Sequence, residues 1–250
     1  MFRKKFAKKK PHDHIQRRGQ EVTRIEAFSD AVFAFGITLL IVSLEVPHDF
    51  DELMANMMLF IPFGFSFAIM FSIWSTQNTF FRRYGLHDVT TLRLNAVLLF
   101  FVLIYMFPLK FLFSSMFSKQ FHLEPGQRSP LFCLYCGGFG CFYVLFALMY
   151  QHAYNLRDKI KLSEIEAFQT KTHVYNYLVL VVVSVFAVLI AALGDIWIGI
   201  AGASYSLVGL GSHLVDKKRG KLFKERFGDI EVAPINEHMH AHIIHDEEKN

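Results

Sequence analysis

Long uncharged runs separated by short clusters of charge constrain this chain more than any other feature. The plainest run, LVLVVVSVFAVLIAAL, carries no charge at all. About 20 mostly apolar residues in a helix cross the roughly 30 Å of hydrocarbon in a bilayer. Only 19% of the residues are charged and 53% are hydrophobic, whereas a soluble domain usually carries about a quarter charged residues. The 28 phenylalanines are more than a water-soluble core of 250 residues would need to bury. The segregation of charge from apolar sequence predicts an all-α polytopic membrane protein.

Six stretches meet the length requirement. They run over about Thr23–Val46, closed by Pro47, then Leu53–Phe81 with Pro62 inside and Thr91–Phe117 with Pro108 inside. The rest are Pro130–Tyr154, Val174–Leu193 and a Gly- and Ser-rich segment, Ile196–Val215. This predicts a basic arm at 1–20, a six-helix transmembrane domain at 21–216 and a His-rich tail at 217–250.

Lys and Arg placement sets the orientation of such a protein. With six spans, the arm (Arg3 to Arg18), Arg82, Arg83, Arg157, Lys159, Lys161, Lys171 and the run Lys217–Lys221 share one side. The other side offers an acidic PHDFDE turn, Lys119, Arg128 and the Gly194–Asp195 turn. Both termini are therefore expected in the cytoplasm, with the chain a multi-pass protein of the cell membrane. The arm leads into polar sequence rather than into an apolar core and cleavage site, so it is not expected to act as a removable signal.

Polar residues inside a span are costly and usually functional. The first span, RIEAFSDAVFAFGITLLIVSLEVP, carries Arg24, Ser29, Asp30 and Thr38. At about 100° per residue, Phe35, Thr38, Leu39 and Val42 fall on one stripe, and Asp30 sits roughly 140° away from Phe35. One face is thus apolar with a single hydroxyl, and another is polar near the end of the helix that adjoins the arm.

Arg24, Phe28, Ser29 and Asp30 form the pattern RxxxFSD ahead of an apolar run. This resembles the transmembrane protein 175 family of potassium channels, and specifically its prokaryotic six-span members. The likeness continues in LRLNAVLLFFVLIYMFPLKF of the third span and WSTQNTFFRR of the second, and spans about residues 20–215. The resemblance implies a homotetramer in the lipid bilayer that conducts potassium through a pore lined by the first helix, with an apolar constriction in place of a carbonyl filter. It places the constriction at Phe35, with Leu39 and Val42 beyond it and Thr38 contributing to selectivity. It also implies a structural network of Arg24, Phe28, Ser29, Asp30 and Trp74, with Gln77 and Asn78 standing where a histidine is expected. Amides hydrogen-bond but do not titrate, so protonation through that histidine is not expected here. Phe35 departs from the aliphatic residue expected at the constriction; four phenyl rings could close a pore more firmly, or their faces could attract cations.

The polar groups of the first span could instead only snorkel and pair, and its apolar stripe could be plain packing. A secondary transporter of a cation or small solute is the alternative function, although no repeat between the halves is evident and broken-helix repeats are its usual mark. No enzyme chemistry, cofactor or nucleic-acid partner is expected, the permeant potassium ion being the only small species implied. The three cysteines of CLYCGGFGC fall short of a four-ligand zinc site and fit close helix contact through small residues better. His238, His240, His242 and His245 form a tract that could bind a transition metal. Glu45 could concentrate cations at the pore mouth or could be a solvated boundary residue.

Overall fold

The computed structural model describes residues 18–19, 21–42, 48–50, 53, 54, 57, 60–117, 124 and 126–228, with backbone only at 40–42, 62, 110 and 112–117. The His-rich tract, Glu45, Pro47 and the Val42 side chain lie outside the described residues. Described secondary structure is helical, without strands. The long helices are α1 (Arg24–Val42), α2 (Phe60–Tyr84), α3 (Val89–Phe117), α4 (Arg128–Asn155) and α5 (Glu164–Ala191). A 3-10 turn at Asp195–Trp197 then leads into the short α6 (Ile198–Ala203) and into α7 (Ser206–Phe227).

Among the described residues, Val89–Leu109, Arg128–Asn155, Glu164–Ala191 and Asp195–Phe227 are long and apolar enough to cross a membrane. Helices α1 and α2 stand beside them; at 19 residues, α1 is roughly 28 Å long, close to the hydrocarbon thickness. The chain is an all-α polytopic membrane protein. Its helices form two sets of three, α1–α2–α3 and α4–α5–(α6, α7), joined where α3 packs on α4.

Small residues set the closest helix approaches. A Cβ on Gly36 of α1 would stand 2.3 Å from Met106 Cε of α3, and one on Gly138 of α4 would stand 2.0 Å from the Tyr105 ring. The Tyr105 hydroxyl donates to the Tyr135 carbonyl at 2.9 Å, and the Tyr135 hydroxyl donates to the Pro108 carbonyl at 2.5 Å. The proline-containing turn of α3 is thereby fixed against α4.

Two helix boundaries differ from those read off hydropathy. Helix α5 begins at Glu164 rather than Val174, because Ser163 and Glu166 form a capping box that starts the helix in polar sequence. The last segment breaks at Ser204, whose hydroxyl donates to the Ala201 carbonyl at 2.6 Å. It then continues as α7 past Val215, through Lys217, Lys218 and Arg219, to Phe227. Gly228, with φ 76°, ends it. Hydropathy locates the membrane-crossing part of a helix and says little about a polar extension.

At the end of the bundle that bears the arm, Asp88 precedes α3 and accepts from the Thr91 hydroxyl at 2.6 Å and from His152 Nε2 of α4 at 2.8 Å. Burial acts to raise the Asp88 carboxyl, but the Thr91 and His152 contacts outweigh it and hold the group below its ordinary value. A depressed carboxyl contributes stability above its unfolded pKa and loses it as pH falls through the folded one. Asp88→Asn is therefore expected to melt earlier than wild type at neutral pH. The two melting curves should converge below about pH 4, near and under the reference aspartate value.

The pore-helix candidate and the network behind it

Helix α1 starts at a second capping box. The Thr23 hydroxyl donates to Glu26 Oε1 at 2.8 Å, and the Thr23 and Glu26 amides close the reciprocal contacts at 3.3 Å. From there the helix divides into two faces. Glu26, Ser29, Phe33 and Gly36 are buried. Roughly opposite them on the helical wheel, Arg24, Phe28, Ala31, Phe35, Thr38 and Leu39 are exposed.

The outward stripe carries large exposed side chains, with Phe28 64%, Phe35 61% and Leu39 40% exposed. The Thr38 hydroxyl donates to the Ala34 carbonyl at 2.8 Å. Its proton is thus engaged along the helix while its oxygen lone pairs remain available on the exposed side.

The inward face is held by a directional chain of buried hydrogen bonds across three helices. Gln77 Nε2 of α2 donates to Asn95 Oδ1 of α3 at 2.5 Å, Asn95 Nδ2 donates to Ser29 Oγ at 2.9 Å, and Ser29 Oγ donates to the Ile25 carbonyl at 2.8 Å. One turn along α2, Trp74 Nε1 donates to Asp30 Oδ1 at 2.6 Å. The expected network residues therefore separate. Ser29, Asp30, Trp74 and Gln77 clamp α1 to α2 and α3. Asn78 instead accepts from Arg82 Nε on its own helix at 3.1 Å. Asp30 takes its bond from the indole rather than from the amides. Among the described residues Arg24 has no hydrogen-bond or ion-pair partner, and Phe28 lies on the outward stripe.

Sequence reasoning missed two members of this assembly. Asn95, noted only within LRLNAV, is the centre of the chain of bonds. Arg18, counted only as a positive charge of the arm, reaches α5: its two terminal nitrogens meet Glu166 Oε1 and Oε2, each at 2.9 Å. Arg18 also donates to the Ile160 and Lys161 carbonyls. Ser-x-x-Glu at 163–166 was the available signal that Glu166 is structural; nothing marked Arg18. The Glu166 side chain is 2% exposed and that of Arg18 16%. Removing one partner of such a pair strands the other, at about 3–5 kcal/mol. Glu166→Gln and Arg18→Met should each lower the melting temperature of the purified protein, with the double variant recovering part of the loss.

A three-helix unit carrying RxxxFSD, clamped to its neighbours on one face and bare on the other, invites comparison with known proteins. The family described as endosomal/lysosomal potassium channel TMEM175 matches residues 24–107, which cover α1, α2 and most of α3. A protein of Marivirga tractuosa named as a potassium channel is 36% identical over 194 residues, 72% of this chain and 78% of the relative. The chain belongs to the TMEM175 family. A second relative, a potassium channel of Chamaesiphon minutus, is 30% identical over 141 residues, 53% of this chain and 66% of its own. The crystal structure of a threonine-to-alanine variant of the potassium channel MtTMEM175, in complex with a Nanobody-MBP fusion protein, superposes with a TM-score of 0.76 at 31% identity. It covers 83% of this chain and 97% of that one. The TMEM175 likeness thus extends through both three-helix sets, beyond the residues that the family match spans.

Proposed function

We propose that this chain is the subunit of a potassium channel, that four copies surround one pore, and that the outward stripe of α1 lines it. The observation that carries this reading is the bare face of Phe28, Phe35, Thr38 and Leu39, on a helix whose opposite face is fixed by buried hydrogen bonds. A single subunit supplies no axis for a pore, whereas copies arranged around α1 would cover that face.

In this reading Phe35 forms the constriction, Leu39 and Val42 continue the apolar wall, and Thr38 offers partial ligands. A ring of apolar side chains cannot replace an ion's water, so passage depends on pore width, retained hydration and dewetting of the constriction. Potassium sheds water more readily than sodium, which gives a narrow apolar ring a preference for it. The Thr38 oxygen, with its proton engaged by Ala34, would face the ion as an acceptor. Arg24 and Phe28 sit at the end of the same stripe, toward the arm.

The basic arm and the charged end of α7 support a reading with both termini in the cytoplasm, by the positive-inside rule. The transporter alternative is not favoured, since the relatives are named as channels, and a channel family is not a class of enzyme. Potassium flux into liposomes containing the protein, above that of empty liposomes and in excess of sodium flux, is the expected result. A stable oligomer passing neither ion would contradict the reading.

A further inference from the structure

Away from α1, on the face that carries the arm, the α4–α5 turn, the start of α5 and the charged half of α7 line a half-open cavity of about 690 Å3. That volume lies in the range of small-ligand sites. Phe168, Lys171, Thr172 and Tyr175 recur at helical spacing on one side of α5, and Arg219 faces them from α7. The Arg219 guanidinium carbon lies 3.7 Å over the Phe168 ring. Its Nε donates to the Thr172 hydroxyl at 3.0 Å, and one terminal nitrogen donates to the Phe168 carbonyl at 2.8 Å. The Lys171 ammonium lies 4.8 Å over the Tyr154 ring.

The charges around this cavity do not cancel in place. Arg157 approaches Asp158 at 3.8 Å and Arg226 approaches Glu164 at 3.6 Å, so these two cations have carboxylate partners. Lys171 and Arg219 have none among the described residues; rings, a hydroxyl and a carbonyl are their neighbours. Glu225, the other acid on the wall, makes no ion pair with either. Arg219 is fixed by stacking and by two hydrogen bonds, and a guanidinium has five donor hydrogens, so it retains donors for a ligand. Preoriented arginine and a nearby ammonium are the usual means of holding phosphate.

We propose that this cavity binds a phosphate-bearing anion, with Lys171 and Arg219 as its cationic ligands. The site adjoins the apolar run of α5 that begins at Val174, and basic pockets between helices at this depth take anionic lipid headgroups. A soluble phosphate offers the same chemistry. Arg18 grips the same α4–α5 turn through the Ile160 and Lys161 carbonyls, so the site borders the segment leading into α1.

The test is calorimetric titration of the full-length protein in neutral detergent. The probes are dioctanoyl phosphatidic acid, dioctanoyl phosphatidylcholine as zwitterionic control, and inorganic phosphate. Saturable binding of phosphatidic acid is expected, weakened at least about tenfold by Lys171→Gln and by Arg219→Gln, in line with the strength of charge-assisted contacts. Lys171→Arg should bind as wild type does, as should Lys159→Gln outside the cavity. Binding of phosphatidic acid without inorganic phosphate assigns a lipid; binding of inorganic phosphate assigns a soluble source. Arg219→Gln also removes a stack between α5 and α7, so Lys171→Gln, which gives up only the Tyr154 contact, is the decisive variant. No binding of either phosphate probe, or equal affinity in wild type and Lys171→Gln, would overturn the proposal.

Discussion

Phe35→Ala should raise potassium flux through reconstituted protein by about tenfold, equivalent to about 1.4 kcal/mol off the barrier, and should reduce the preference for potassium over sodium. The substitution removes a phenyl ring from the outward stripe of α1, so a dewetted constriction at this level would become wider and wetter. Phe35 is 61% exposed in the subunit and is absent from the buried core, so the fold should be little affected. Flux measured with potassium, sodium and caesium in parallel reads the effect. A fall in flux would mean that the ring faces assist the cation, the opposite electrostatic role. Unchanged flux would move the constriction away from Phe35.

Asn95→Leu should have the largest effect on stability of any single change in the first three helices. Asn95 is 2% exposed and Gln77 likewise 2%, so the substitution strands the Gln77 amide in an apolar environment and takes a donor from Ser29. Each buried group left unpaired costs roughly 1–3 kcal/mol. The pairwise coupling of a hydrogen bond between membrane helices averages only about 0.6 kcal/mol. The stranded amide, rather than the lost Ser29 bond, should therefore dominate. Ser29→Ala should be milder, and the double variant should resemble Asn95→Leu alone. Thermal unfolding of the four proteins in one detergent forms the double-mutant cycle. A large Ser29→Ala effect beside a small Asn95→Leu effect would refute the ordering.

How far the fold was legible in the sequence depends on which residues bear on it. The apolar run within Val174–Leu193 points to a membrane helix, and the position of RxxxFSD at the start of the first span points to the family. Helical spacing put Phe35, Thr38 and Leu39 on one face, and all three are exposed; Asp30, about 140° round from Phe35, is exposed as well and is held by Trp74 rather than by burial. The partners of the inward face were not legible. Gln77 and Asn78 are adjacent amides of similar chemistry, and only the rotation of α2 decides that Gln77 meets Asn95 while Asn78 meets Arg82. Arg18 and Glu166 are 148 positions apart, and no local pattern links them. The polar start of α5 was missed because hydropathy is blind to a capping box outside the apolar run.

The central claim is that the outward stripe of α1 lines a potassium pore. Its most direct test introduces Thr38→Cys and treats reconstituted protein with a cationic methanethiosulfonate reagent while potassium flux is followed. The wild type, which retains Cys133, Cys136 and Cys141 away from α1, is the reference. The account predicts that the reagent abolishes flux in Thr38→Cys and leaves wild-type flux intact. Full modification of Cys at position 38 with undiminished potassium flux would contradict it.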